Sequence, residues 1–475
     1  MSTTAGTSRW KPGTDPEKTR KAVRGGFFGF FVDMYDIYLP VVVLVPALAY
    51  FVSPKMSDSG KSLAAGAIFA ATLVGRPVGA LIFGHFADRI GRRRTAIVAT
   101  AGFATGTVLI GLMPGYTTLG ATSVVLFVAL RFIVGCFVGG GYTSANPLVM
   151  EYSRKDKRWL NSAIVMVGYP VAYVVIALLT LAVLQIAPSG AADSAYSTWG
   201  WRIPFFVGGA LAFSFLAWFI RNVPESELFE ETGGTEAPLK ELVGRRENVM
   251  AFLQVFVLMS GFWLTLQTAA AVLPKVLKST VGLGDTSATF TLVIAYIALI
   301  GGYFAAGWMS ERMGRRPFLM AFGVSAATLG TLVYYVLLAQ KPGLGGAILL
   351  CCAIAVLTSS EWSLATSYIT ERFHTSVRAS GFAAGYSLAV IAPSFYAFYM
   401  KLLGNVMSPT YTVLPLLAFG GVLIVVGAAL GPETRDVDFE DDVAGEPAAE
   451  ERPRTGRFVR DSERETVVTG APHDR

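Results

Sequence analysis

The chain has 475 residues, 53% of them hydrophobic and 15% charged, and its mean hydropathy is +0.53. This composition excludes an ordinary soluble globular domain and points to a polytopic membrane protein. The formal net charge of +6 invites a nucleic-acid partner, but the placement of the basic residues argues against one.

Residues 1–24 are polar and rich in Lys, Arg and Pro, and no short apolar core with a small-residue cleavage site follows, so no cleaved signal peptide is expected. Twelve apolar stretches then come near 25–51, 62–84, 95–113, 119–146, 159–187, 201–221, 249–274, 287–309, 318–339, 345–369, 378–402 and 410–431. Each is near or above the roughly 20 residues that a helix needs to cross the hydrocarbon core. Backbone groups in lipid must be satisfied within the segment, which predicts an all-α protein with twelve transmembrane helices. The expected organisation is a first six-helix bundle over 25–222, a polar linker over 223–246 and a second bundle over 247–432. From 433 to 475 the sequence turns to charge, Gly and Pro, and predicts a solvated, disordered tail without a site.

Lys and Arg crowd the amino-terminal segment, "DRIGRRR" at 88–94, "SRKDKR" at 153–158, the loop with Arg245 and Arg246, and "ERMGRR" at 311–316. The intervening loops carry few, such as Lys55, Lys275 and Lys341. That alternation predicts cytoplasmic termini on a multi-pass protein of the plasma or inner membrane. The positive charge then orients the chain in its bilayer. Cys136, Cys351 and Cys352 all lie in apolar stretches without metal-ligand spacing, so no disulfide, metal or cofactor is expected. His85 and Asp88 have helical spacing for a metal pair, but two such residues alone make no site.

Five ionisable residues fall well inside apolar stretches: Asp33, Asp36, Arg76, Arg131 and Glu361. A charge at the centre of a bilayer helix costs about 2.5–3.5 kcal/mol, while an apolar side chain returns only about 0.3–0.6 kcal/mol. Such residues therefore face the protein interior, and function is the default expectation for them. Asp33 and Asp36 share a helix face and sit roughly 12–17 Å into the membrane at about 1.5 Å per residue. Arg76 and Glu361 reach similar depths. The two aspartates and Glu361 are candidate proton-coupling groups; Arg76 and Arg131 can pair with a substrate carboxylate. The structural alternative is that the aspartates are permanent partners of these arginines and that Glu361 sits in an ion pair. Tyr142 and Asn146 follow Arg131 at helical spacing, as Gln267 follows Trp263; with Tyr386 they are candidate cavity-lining groups, and Tyr169 and Trp362 are weighed with them against plain helix packing.

"GHFADRIGRRR" at 84–94 returns as "GWMSERMGRRP" at 307–317, an offset of 223 residues, and "EYSRKDKR" at 151–158 returns as "ERFHTSVR" at 371–378, an offset of 220. Two echoes at nearly one offset predict two pseudo-symmetric halves, a transporter plan with its site at their interface.

The segment "GRPVGALIFGHFADRIGRRR" at 75–94, together with "RFIVGCFVGGG" at 131–141, "WGWRIPFF" at 199–206, "RNVPESELFEE" at 221–231 and "ERFHTSVRASG" at 371–381, resembles the major facilitator superfamily and, within it, the metabolite:proton symporters. The Asp33-Met34-Tyr35-Asp36 stretch is also similar to the Asp-x-x-Asp of aromatic-acid, lactate and sialate proton symporters. The resemblance spans nearly all of 25–432. It implies a monomeric carrier that uses the proton gradient to bring in a small carboxylate or zwitterion by alternating access. It also implies a gate on the cytoplasmic side built from the repeated loops, with Asp88, Arg92, Glu151, Arg158, Glu311, Arg315, Glu371 and Arg378 as its charged members. In that gate Asp88 would approach Thr375 to Arg378, and Glu311 would approach Arg158.

No nucleophile elbow, His-Glu-x-x-His or P-loop pattern is present, so an enzyme is not expected. The rival readings are a proton-coupled antiporter or amine carrier, because three buried carboxylates outnumber two arginines, and a non-transporting solute sensor on the same scaffold.

Overall fold

The computed structural model describes residues 16–44, 46–90, 92–142, 149–222, 244–373 and 378–439. Among the described residues, twelve helical spans are long and apolar enough to cross a membrane: α1 (Pro16–Val43), α2 (Asp58–Phe83), α3 (Arg93–Gly111), α4 (Thr122–Gly140), α5 (Lys155–Ile186), α6 (Tyr196–Asn222), α7 (Arg246–Ser279), α8 (Asp285–Met313), α9 (Arg315–Gln340), α10 (Leu344–Arg372), α11 (Ser380–Leu403) and α12 (Pro409–Leu430). All regular elements among the described residues are helical. An even number of crossings puts the start of α1 and the end of α12 on one face, which we term the terminal face.

The internal repeat is visible in the packing. In the first half α2 packs along α4, α3 along α6 and α1 along α5; in the second half α8 packs along α10, α9 along α12 and α7 along α11. The halves meet where α8 and α10 lie on α5 and where α2 lies on α11. Since α2 corresponds to α8 and α5 to α11 in the repeat, the α5–α8 and α2–α11 contacts are equivalent by pseudo-symmetry. The result is two six-helix bundles closed on one another.

Small residues fix the closest of these contacts. A Cβ on Gly79 would lie 1.8 Å from the Cys136 carbonyl oxygen, one on Gly135 2.1 Å from that of Thr72, and one on Gly139 2.0 Å from that of Arg76. Backbone therefore meets backbone along α2 and α4, the mode of association expected where lipid removes the hydrophobic drive between helices. Three spans also carry short π-helical turns, at Tyr196–Gly200, Thr268–Val272 and Ala326–Gly330, and α10 tightens to a 3₁₀ turn over Ser360–Leu364. Two of these irregular turns adjoin Gln267 and contain Glu361, in keeping with the tendency of such bulges to fall at functional sites.

The charged stretch from Glu433 onward, expected to be solvated tail, instead stays folded through Phe439. Thr434 and Phe439 are each 1% exposed. Glu433 accepts the backbone N–H groups of Arg315 (2.8 Å) and Arg316 (3.1 Å) at the start of α9. A carboxylate there satisfies orphan helix donors and meets the positive end of the helix dipole.

Replacing Gly139 with Ala should lower stability by about 3 kcal/mol or more, because rigid backbone opposes the new methyl. Gly301→Ala, which meets nothing within 4 Å, should be neutral or stabilising by up to about 1 kcal/mol. Thermal unfolding of the purified protein in detergent compares the two.

Candidate functional site

The two aspartates of α1 reach different neighbours. Asp33 pairs with Arg76 of α2 at 3.0 Å, and Asp36 pairs with Arg131 of α4 at 3.0 Å. A separation of three residues turns both carboxylates toward the helices that the glycine contact brings together. Asp36 is held more fully: Arg131 also donates to its backbone carbonyl at 2.9 Å, and Thr107 of α3 donates to its second carboxylate oxygen at 2.5 Å. Asp33 and Arg76 stand nearer the second half, where the Arg76 guanidinium lies 5.7 Å from the Tyr386 ring centroid. Both arginines and both aspartates are buried, so each charge depends on its partner.

Glu361 is buried without a basic partner among the described residues. One carboxylate oxygen accepts from Thr265 Oγ1 at 2.9 Å; the other, Oε2, has no partner. An ion pair for Glu361 is therefore not what the structure contains. Around it the second half is aromatic. Trp263 meets Trp362 at 4.7 Å and Tyr386 at 5.4 Å between ring centroids, both edge-on, and its indole N–H donates to the Tyr386 carbonyl at 3.3 Å. Gln267 lies one turn beyond Trp263 on the same face, and neither polar atom of its buried amide is bonded. The hydroxyls of Tyr38 and Tyr303 are also buried and unbonded, and Tyr303 is within electrostatic reach of Glu361, Tyr38 and Tyr386. Buried polar groups without partners cost free energy, so their concentration here marks a place that water or a ligand completes.

Tyrosines bridge the halves at this level. Tyr169 and Tyr296 share a hydroxyl hydrogen bond of 2.8 Å, and Tyr173 stacks on Tyr296 with ring centroids 3.7 Å apart. Beyond them both faces are shut. On the terminal face Ser162 Oγ donates to the Ser363 carbonyl at 2.6 Å and Glu151 pairs with Arg378 at 3.1 Å. On the other face Ser189 donates to Asp285, which also pairs with Lys278 at 2.8 Å, and Lys275 donates to Ser62. The halves thus touch on both faces among the described residues.

Of the expected gate residues, Arg315 holds Glu371 through two hydrogen bonds of 3.2 Å and Glu311 at 3.3 Å. Glu311 is thus bound within its own half rather than to Arg158. The cause is local: Gly314 takes a positive φ of 95°, which folds the loop so that Arg315 returns over Glu311. Arg158 turns to the segment after α12 instead, donating to the Val437 carbonyl at 2.7 Å. Asn146 lies outside the described residues, as do Thr375 and the side chains of Asp88, Arg92 and Tyr142. Tyr38, Tyr173, Tyr296 and Tyr303 are not among the residues expected from the sequence. Tyr296 and Tyr303 are seven apart on one face of α8, a spacing that could have found them.

A sequence profile described as Major Facilitator Superfamily matches residues 26–397. The chain is 28% identical over 428 residues to the shikimate transporter of Escherichia coli strain K12, covering 87% of this chain and 94% of that protein. It is 25% identical over 441 residues to the proline/betaine transporter of the same strain, covering 88% and 83%. Its fold matches a partially occluded inward-open structure of the xylose transporter XylE from E. coli with a TM-score of 0.66, at 18% identity and over 88% of this chain and 99% of that one. Twelve spans, two repeated halves, a polar interior between them and a profile match over most of the length make one assignment: the chain is a multi-pass membrane transporter that belongs to the Major Facilitator Superfamily.

Proposed function

We propose that the protein is a proton-coupled symporter that takes up a small organic acid or zwitterion by alternating access, with its termini in the cytoplasm. The placement of Lys and Arg in the loops of the terminal face supports that orientation. The observation that carries the mechanism is the Asp33–Arg76 pair, buried in the first half and turned toward Tyr386 of the second. A proton on Asp33 removes the partner charge and leaves Arg76 as a cation that a substrate carboxylate can neutralise in a bidentate way. Loss of the proton restores the ion pair, which then competes with the substrate for Arg76. Proton and carboxylate thus bind together and leave together.

Asp36 and Arg131 have a different part. Their additional bonds to Thr107 and to the α1 backbone suit a permanent brace. Glu361, lone and buried, serves as the acidic group of the second half: it takes a proton when the substrate is a plain acid, and its unpaired oxygen favours a substrate that also carries a positive or hydrogen-bond-donating end. That same oxygen supports the amine-carrier reading. The names of the shikimate and proline/betaine relatives support a carboxylate-bearing substrate. Each chain holds its own interior between its halves, so a monomer suffices.

In proteoliposomes with an inward proton gradient, radiolabelled shikimate or proline should accumulate, and a protonophore should abolish the accumulation; uptake indifferent to the protonophore refutes symport. Asp33→Asn should reduce gradient-driven accumulation roughly 5- to 150-fold, the usual range of a coupling energy, while counterflow exchange persists. Full accumulation in this variant would remove Asp33 as the proton carrier.

The brace is tested by stability. Arg131→Met should destabilise the protein by about 3–5 kcal/mol by leaving Asp36 buried and alone, and adding Asp36→Leu should restore much of that loss. Unfolding midpoints of the single and double variants give the comparison.

A further inference from the structure

The segment after α12 forms a strap across the terminal face. Its first part is fastened to the second half: Glu433 holds the start of α9, and Thr434 Oγ1 donates to Glu371 at 2.9 Å. Its last part reaches the first half, where Val437 accepts from Arg158. The Phe439 ring ends between two arginines, with the guanidinium of Arg158 3.6 Å from its centroid and that of Arg378 at 4.1 Å. Arg158 belongs to the first half and Arg378 to the second.

We propose that Phe439 is a gating residue, whose ring, gripped by Arg158 and Arg378, ties the two halves together on the terminal face and must leave that grip before the gate opens there. Two guanidinium groups facing one another repel. The face of an aromatic ring carries negative potential on both sides, so a ring between them turns repulsion into two attractive contacts, stronger where water is excluded. The fastening at Glu433 and Thr434 means that the strap travels with the second half. Opening therefore separates Arg158 from the Val437 carbonyl and from the ring, while Arg378 keeps its place beside the strap. Glu151 pairs with Arg378 on the same line of parting. The inference rests on the proposed function for two statements, that this face opens during the cycle and that it faces the cytoplasm.

The test is Ser367→Cys, a fully buried position, in a background with Cys136→Ala, Cys351→Ala and Cys352→Ala. An impermeant maleimide applied to inside-out vesicles reads how often the terminal face opens, and Glu151→Gln sets the scale. Phe439→Ala and Phe439→Leu should label roughly tenfold faster than the parent, and Phe439→Trp, which keeps a ring, at the parental rate. A parental rate for Phe439→Leu, which keeps the apolar bulk, overturns the proposal. If Phe439→Ala fails to fold, the Leu and Trp variants decide the matter alone. Labelling needs neither substrate nor proton gradient, so it stands or falls independently of symport, which only the uptake measurement reads.

Discussion

The structure depends on how four charges are kept in a medium that rejects charge. Asp33 and Asp36 enter the membrane on α1, and each pairs with an arginine of another helix rather than with the basic residues at the start of its own. Arg76 and Arg131 come from α2 and α4, and these helices meet backbone to backbone through Gly79, Gly135 and Gly139. The Gly139 contact falls on the carbonyl of Arg76 itself. Packing by small residues and pairing of charges are therefore one arrangement: a bulkier α4 would push Arg76 away from Asp33, and removal of either arginine would leave a carboxylate buried without compensation. The Asp36 carboxylate accepts from both Arg131 and Thr107, and that of Asp33 accepts from Arg76; on the proposed function this difference between the carboxylates separates the switch from the brace.

The second half solves the same problem differently. Its acidic group, Glu361, has a hydroxyl partner and no cation among the described residues, and it sits on a 3₁₀ turn beside unbonded tyrosine and glutamine groups. Irregular backbone inside a membrane protein is tolerated where it is enclosed by protein or lines a polar cavity. The halves thus share topology but not chemistry. The first offers paired charge; the second offers hydrogen-bonding capacity and aromatic surface. On the proposed function, a substrate between them would meet a cation at one end and acceptors at the other.

Sequence reading recovered the twelve spans, the two halves and the superfamily, because burial in lipid imposes long apolar runs and because the repeated loops are polar words in an apolar text. Asp33, Asp36, Arg76 and Arg131 were legible for the same reason: the cost of a submerged charge holds in any fold. Which aspartate meets which arginine was not legible, since it depends on the α2–α4 contact. Tyr38, Tyr173, Tyr296 and Tyr303 escaped notice because a tyrosine at a helix interface has the same sequence signature whether it packs or waits for a ligand. Residues 433–439 misled in the opposite direction. Their charge predicts solvation, yet Glu433 finds its partners 117 and 118 residues earlier in the chain, a relation that no local pattern encodes.

The pseudo-symmetry of the interface constrains how the halves can move. The α5–α8 and α2–α11 contacts are equivalent, so a rocking motion can pivot on both without favouring a face. The bias must come from parts that are not repeated. The strap is one such part, since it follows only the second half and grips only the terminal face. The Lys275–Ser62 and Ser189–Asp285 contacts are its unlike counterparts on the other face. At the centre, the Tyr169–Tyr296 and Tyr173–Ala270 hydrogen bonds join the two halves. On the proposed function, a fold built from two similar halves obtains a directed cycle from its unsymmetrical fastenings, with the charge pairs governing when those fastenings are released.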